Sequence, residues 1–216
     1  MRQDKALFES KKIYRKVGAL RMPLLMAPDL GIGGKGFSER AFDELVADAR
    51  RKEVKDILLC GNILEGHGAR NSERTELAAE YLKRIPRKTK IAMAGTNGEA
   101  LEMLAEKIPN ATYYGEVATL KLGDRFTLMA VYGKYASSGT IQEIFAKLRV
   151  KPNILVMGRF NGMLCEGVPH GRLLIKLGRD TSLATRHGMT AQLGWHILHE
   201  YDEEHSEIEG RYSRAY

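Results

Sequence analysis

At 216 residues the chain is long enough for one sizeable domain with its own hydrophobic core. Its 44% hydrophobic and 28% charged composition is that of an ordinary globular protein. No apolar run approaches the roughly 20 residues that a membrane span needs, so no membrane partner is expected. Two cysteines, Cys60 and Cys165, exclude a disulfide framework. The basic N-terminus "MRQDKALFESKKIYRK" has no apolar core behind it and is no secretory signal, so a reducing, cytoplasmic setting is expected. The net charge of +7 points to polyanionic partners.

In chain order, residues 1–21 predict a basic amphipathic helical arm, with Leu7, Ile13, Val17 and Leu20 near helical spacing. Residues 22–201 predict the main domain. "PLLMAP", "VKDILLC" and "KTKIAMAG" read as buried strands, separated by the helical runs "SERAFDELVADARRK", "SERTELAAEYLKRI" and "GEALEMLAEKI". Ser38 and Ser72 are placed to cap the first two helices, and Pro109 stops the third. Strands alternating with helices of this length imply parallel βαβ units. Past residue 110, "ATYYG", "VATLKLG" and "RFTLMAVYG" predict an antiparallel meander. The helix "TIQEIFAKL" and the strands "NILVMG", "RLLIKLG" and "LGWHILHEY" follow. Residues 202–216 read as a loose polar tail. The expected fold class is α/β, a layered sandwich of mixed β-sheets flanked by helices.

The stretch "LLMAPDLGIGGKGFSE" spells G-x-G-x-x-G at Gly31, Gly33 and Gly36, the spacing of a dinucleotide-binding turn. That reading needs an acidic residue at the end of the next strand to hold a ribose, and the position reads Cys60-Gly61-Asn62. The third glycine also precedes the expected helix start.

Chemistry in open α/β sheets collects beyond the carboxyl ends of the strands. Those ends read Asp29-Leu30-Gly31, Gly61-Asn62, Gly95-Thr96-Asn97-Gly98-Glu99, Tyr132-Gly133-Lys134 and Gly158-Arg159-Phe160-Asn161-Gly162. In this order the chain resembles a calcineurin-like metallophosphoesterase over about residues 22–200. The family places D-x-H, G-D, G-N-H-D/E, a histidine and G-H-x-H at these positions. The resemblance puts Asp29 on the first aspartate and Gly31 on its histidine. Asn62 stands for the metal-bridging aspartate. Asn97 matches the asparagine, Gly98 replaces the next histidine, and Glu99 matches the closing acid. Tyr132 stands for the next histidine, and Arg159 and Asn161 stand for those of G-H-x-H.

The departures imply a vestigial metal site. Two close divalent cations need bridging carboxylate oxygen and neutral imidazole nitrogen. Glycine ligates through no side chain, arginine is a fixed cation, and asparagine offers a neutral oxygen. Asp29, Asn62 and Asn97, with Asn161, suit at most one weakly held hard cation such as Mg²⁺, Ca²⁺ or Mn²⁺. No resident cofactor is expected otherwise. Lys134 and Arg159 place positive charge at the old pocket and are candidates for holding a phosphate group. Arg159 pairing with Asp29 is the structural alternative.

Lys83, Arg84, Arg87, Lys88 and Lys90 cluster around Pro86 and are candidates for a nucleic-acid backbone. No aromatic stripe or reading helix accompanies them. None of the six histidines falls on a motif position. His67 and His170 lie on expected loops within reach of the crevice. His196 and His199 sit three apart on an expected strand and point to opposite faces. Three readings follow: a catalytically impaired binding protein for phosphate-rich ligands or nucleic acid, a residual single-metal phosphodiesterase or nuclease, and an architectural subunit of a homo-oligomer or other assembly.

Overall fold

Three short apolar runs set the centre of the molecule. Strands β2 (Leu24–Pro28), β3 (Asp56–Cys60) and β4 (Lys90–Ala94) lie side by side, parallel and in register, with Leu24 beside Asp56 and Asp56 beside Lys90. The protein is described by a computed structural model over residues 18–65, 71–132, 141–142, 145–146, 148–149, 151–161, 163–180, 192–202 and 204–213. At 71, 159–161 and 178–180 only the backbone is described.

Both faces of β2, β3 and β4 are covered, which is why they read as continuous apolar runs rather than as alternating ones. Leu25, Ala27, Ile57, Leu59, Ile91 and Met93 pack toward the helices. Leu24, Met26, Leu58, Cys60, Ala92 and Ala94 pack the other way, against the second sheet. Strand β5 (Ala111–Tyr113) adds in parallel at one edge. On the other side stand β11 (Gln192–Tyr201) and β12 (Ser206–Tyr212), both antiparallel to their neighbours. The order is β12-β11-β2-β3-β4-β5.

The second sheet runs β1-β6-β7-β8-β10, from β1 (Gly18–Leu20) through β6 (Val117–Leu122), β7 (Phe126–Tyr132) and β8 (Ile154–Asn161) to β10 (Arg172–Asp180). Strand β9 (Leu164–Val168) pairs antiparallel with β10. The sheets join where Arg179 and Asp180 of β10 meet Leu193 and Gln192 of β11. Strand β8 shows the layering: Ile154 and Val156 enter the core between the sheets, whereas Leu155 and Met157 face Ile141 and Leu148 outside.

Helices α1 (Glu39–Arg51), α2 (Asn71–Leu82) and α3 (Gly98–Lys107) cover the outer face of the first sheet. Ser38 caps α1 as expected, its side chain accepting the Ala41 N–H at 3.2 Å. The apolar stripe of α1, Ala41, Phe42, Leu45, Val46 and Ala49, turns inward at helical spacing. Helix α3 ends at Ile108, ahead of Pro109.

Several expectations need correction. Gly18–Leu20, the end of the expected helical arm, form β1 against Leu120–Leu122 of β6; the rest of the arm lies outside the described residues. "ATYYG" leaves the meander and extends the first sheet in parallel, and of the meander only the β6–β7 hairpin is antiparallel. Ser72 lies inside α2, which already includes Asn71. The segment read as a loose tail carries β12, held along its length to β11. Its sequence, SEIEGRY, hides this because the strand is only partly covered.

Candidate functional site at the carboxyl ends of the strands

The parallel run of β2, β3 and β4 brings Asp29, Asn62 and Asn97 to one end of the first sheet, each just past its strand. In the second sheet β7 and β8 are also parallel, with Tyr132 beside Gly158. A Cβ on Gly158 would lie 2.3 Å from the Cys60 carbonyl oxygen and 3.1 Å from Gly61 Cα. The ends of β3 and β8 are therefore in backbone contact, and the two sheets converge at this end, where the sequence places the expected crevice. Asp29, Gly31, Asn62, Asn97, Gly98 and Tyr132, together with the backbone positions of Arg159 and Asn161, are placed around this end.

The crevice is built from backbone. Asp29 Oδ1 accepts the Asn62 N–H at 2.5 Å, tying the β2 end to the β3 end. Gly31 N–H donates to the Asn62 carbonyl and Ile32 N–H to the Ile63 carbonyl, both at 2.9 Å, while Glu65 N–H returns to Ile32 at 3.1 Å. This short ladder explains Gly31, whose φ of +62° lies in the left-handed region that favours glycine. The glycine run makes a turn that docks on the β3 loop, and α1 begins only at Glu39, past Gly36. The geometry is not that of a dinucleotide turn.

Close approach accounts for the other glycines. A Cβ on Gly95 would sit 1.9 Å from the Gly61 carbonyl oxygen, and one on Gly61 would sit 2.5 Å from Asp29 Oδ1. Gly61 N–H bonds the Ala94 carbonyl at 2.8 Å, and the Tyr113 hydroxyl donates to the Gly95 carbonyl at the same distance. Asn97 holds a left-handed φ of +70° at the start of α3 and gives its Nδ2 to the Leu64 carbonyl at 3.3 Å. Beneath the rim, Cys60 is fully buried. Burial, and next the Asp29 charge, push its thiol up to about 12, so it is no thiolate nucleophile.

Other sequence candidates fall elsewhere. Lys134 and His67 lie outside the described residues, as do the Arg159 and Asn161 side chains. His170 sits on the turn leading into β10, level with the start of β8 and so at the far end of that sheet from the crevice. The basic cluster, from the end of α2 to the start of β4, also occupies the opposite end of its sheet. Two of its five members are engaged internally. Arg84 pairs with Glu39 at 2.6 Å and Asp43 at 2.8 Å, and lies over the Tyr81 ring. Lys90 donates to the Ala19 carbonyl at 2.8 Å. Lys83, Arg87 and Lys88 are exposed.

Sequence reasoning missed Arg74, whose Cγ would touch a Cβ on Gly33 at 3.1 Å and so borders the glycine turn. It also missed a cleft of about 440 Å³ between α1 and strands β11 and β12, lined by Asp48, Trp195 and Arg211 among others. Among the described residues, no group of three or more His, Cys, Asp and Glu side chains is arranged to hold a metal ion. No described helix is long and apolar enough to cross a membrane.

No protein-family model and no curated protein sequence matches the chain. Among solved structures it is similar to Chaetomium thermophilum Vps29, at 14% identity and a TM-score of 0.50, over 88% of this chain and 94% of that one. It is also similar to the Thermotoga maritima protein TM1076, at 14% identity and a TM-score of 0.46, over 88% of this chain and 98% of that one. At such identity the likeness to Vps29 is one of fold: two mixed sheets flanked by helices, in the metallophosphoesterase-like arrangement.

Proposed function

We propose that this chain is a metallophosphoesterase-fold protein that works by binding and not by dinuclear hydrolysis. The observation that carries the reading is the bond between Asp29 and the Asn62 amide. Through Oδ1 that carboxylate closes the junction between two strand ends, a role it fills without a cation. The donor set around it points the same way. Gly31 and Gly98 offer no side-chain donor, Arg159 is a fixed cation, and Asn62 supplies a neutral amide where a bridging carboxylate is required. These residues do not fit a pair of divalent cations, and we derive no hydrolytic step through them.

A phosphate-bearing ligand at the crevice is the binding partner that the residue chemistry favours. Arg159 and Lys134, which follow the second-sheet strands in sequence, are our candidates for the positive charge, and charge-assisted hydrogen bonds to phosphate oxygens need no metal. A second reading, a single-metal phosphodiesterase, rests on the convergence of Asp29, Asn62 and Asn97 at one end of the sheet.

Elemental analysis of the purified protein, with hydrolysis of bis-p-nitrophenyl phosphate in added Mn²⁺, separates the two. Binding without hydrolysis predicts well under one bound metal per chain and no turnover above buffer. About one bound metal ion per chain with turnover lost in Asp29→Ala would support the single-metal reading, and about two would restore a dinuclear one; either would overturn the proposal.

A further inference from the structure

We propose that the end of the first sheet opposite the crevice, where β2, β3 and β4 begin, is a docking face for the phosphate backbone of duplex nucleic acid, contacted by Lys55, Lys83, Arg87 and Lys88. This face is independent of the crevice and of the reading given for it.

The folded chain adds to the cluster visible in the sequence. Lys55, far from Pro86 in sequence, joins because its strand neighbours β4: the Lys90 N–H donates to the Lys55 carbonyl at 3.2 Å. Arg50 joins from the end of α1, its guanidinium donating to the Arg84 carbonyl at 2.8 Å. Lys55 immediately precedes β3 and Lys88 lies in the turn two residues before β4, so the two stand in a row at the starts of adjacent strands, which lie about 4.8 Å apart. A duplex carries about one charge per 1.7 Å of its axis, a density that such a row can follow.

Which cations are available is decided by what already holds them. Arg84 is held by two carboxylates, and Arg21 by the fully buried Asp56, at 2.6 Å. Those pairs and the backbone bonds fix the frame. Lys55, Lys83, Arg87 and Lys88 are exposed, and among the described residues no carboxylate lies within ion-pair distance of them. Glu53, and Glu80 three residues before Lys83, are exposed carboxylates near the same end, and the Lys83 charge also reaches Glu76, without forming an ion pair. Helix C-termini favour basic residues for their own dipole, which accounts for Lys83. It does not account for Lys55, Arg87 and Lys88, which lie beyond helix ends.

Two features select a duplex backbone among polyanions. Single-strand binders stack bases on aromatic platforms. Here the nearby rings are already under cations, Tyr81 beneath Arg84 at 4.6 Å and Tyr114 beside Lys90 at 5.6 Å. A bilayer face carries apolar anchors beside its lysines. The large exposed hydrophobics among the described residues are Leu77, Met103, Leu164 and Tyr212, none of which borders this end. Contact is therefore with phosphates and without sequence preference.

The test is fluorescence anisotropy of the full chain with a labelled duplex of about 25 base pairs across a salt series. Lys55→Gln/Arg87→Gln/Lys88→Gln is expected to weaken binding at least tenfold and to make the log–log salt dependence shallower by about three, at roughly 0.9 per lost phosphate contact. Lys35→Gln, in the exposed glycine turn at the crevice end of the first sheet, is the control and is expected to leave both unchanged. A thermal melt of the triple variant is expected to match the parent because the three side chains bear no packing. Equal affinity for parent and triple variant would overturn the proposal. So would equal losses in the triple variant and the control, tighter binding of single strands, or retention on phosphatidylserine vesicles without duplex binding.

Discussion

The Trp195 indole and the Asp48 carboxylate, 147 residues apart in sequence, meet at 3.0 Å where β11 packs under α1. Asp48 is 4% exposed and also accepts Arg211 at 3.3 Å and an ion pair from Arg51. It therefore stands on the buried stripe of a helix that is otherwise apolar there. Removing it strands the indole N–H, while Arg211 and Arg51, at 35% and 59% exposed, can turn to water. Asp48→Ala is expected to lower unfolding stability by about 1–3 kcal/mol, the cost of one unpaired buried donor. Adding Trp195→Phe to that background is expected to cost less than Trp195→Phe costs alone, because the orphan donor goes with it. Urea titrations of the four proteins measure both effects; additive losses would show that the two side chains do not act through this bond.

His196 gives a pH prediction. It is 5% exposed, beside Gly210 of β12, and among the described residues neither ring nitrogen has a hydrogen-bond partner. Burial drives its pKa from 6.5 down to about 4. A base with a depressed folded pKa is neutral in the native state, so the unfolded chain takes up protons first. Stability is held above pH 6.5 and falls as pH drops toward 4, by up to about 3 kcal/mol. Glu209 behaves differently: its bond to Lys52, and secondarily Arg211, holds its carboxyl down at about 2, so its contribution is lost lower, from pH 4.5 toward 2. His196→Leu is expected to flatten the upper window and leave the lower one in place. Thermal melts across pH 7 to 2 check this, and an unchanged limb between pH 6.5 and 4 in the variant would remove His196 as its cause.

The contrast between these residues and the central strands explains what the sequence disclosed. Runs such as DILLC and KIAMA, buried on both faces, leave a continuous apolar signal, and Ser38 marks a helix start by a bond three residues away. The crevice positions were legible because short motifs follow each strand in order. Strands β9 and β12 were not, because an edge covered on one side keeps polar residues throughout. Asp48 and His196 were illegible for another reason: their burial depends on partners contributed by distant strands. The basic cluster was legible as composition, but its division into engaged and available cations required the contacts of Arg84 and Lys90.

The glycines at the crevice predict a sharp difference between similar substitutions. Alanine at Gly95 or Gly158 would place a Cβ 1.9 Å or 2.3 Å from a backbone carbonyl oxygen, which cannot swing aside. Each is expected to cost about 3 kcal/mol or more and to separate the strand ends. Gly167→Ala, on β9 with nothing within 4 Å, is expected to stay within about 0.5 kcal/mol of the parent. Thermal melts compare them directly. A mild Gly95→Ala would mean that β3 and β4 do not meet as closely as their end glycines require.

Asp29 separates a structural carboxylate from a catalytic one. If its task is to accept the Asn62 N–H, a neutral amide oxygen serves nearly as well, whereas a methyl group leaves that N–H without its partner. Asp29→Asn is then expected within about 0.5 kcal/mol of the parent and Asp29→Ala about 1–2 kcal/mol below it. A hydrolytic metal ligand gives the reverse pattern: both variants lose bound metal and turnover, since asparagine carries no charge to offset a cation. Stability of the two variants, read beside their metal content, therefore distinguishes the roles without needing the natural ligand. Asp29→Asn as damaging to the fold as Asp29→Ala would show that the carboxylate's charge, and not its acceptor oxygen, holds the junction.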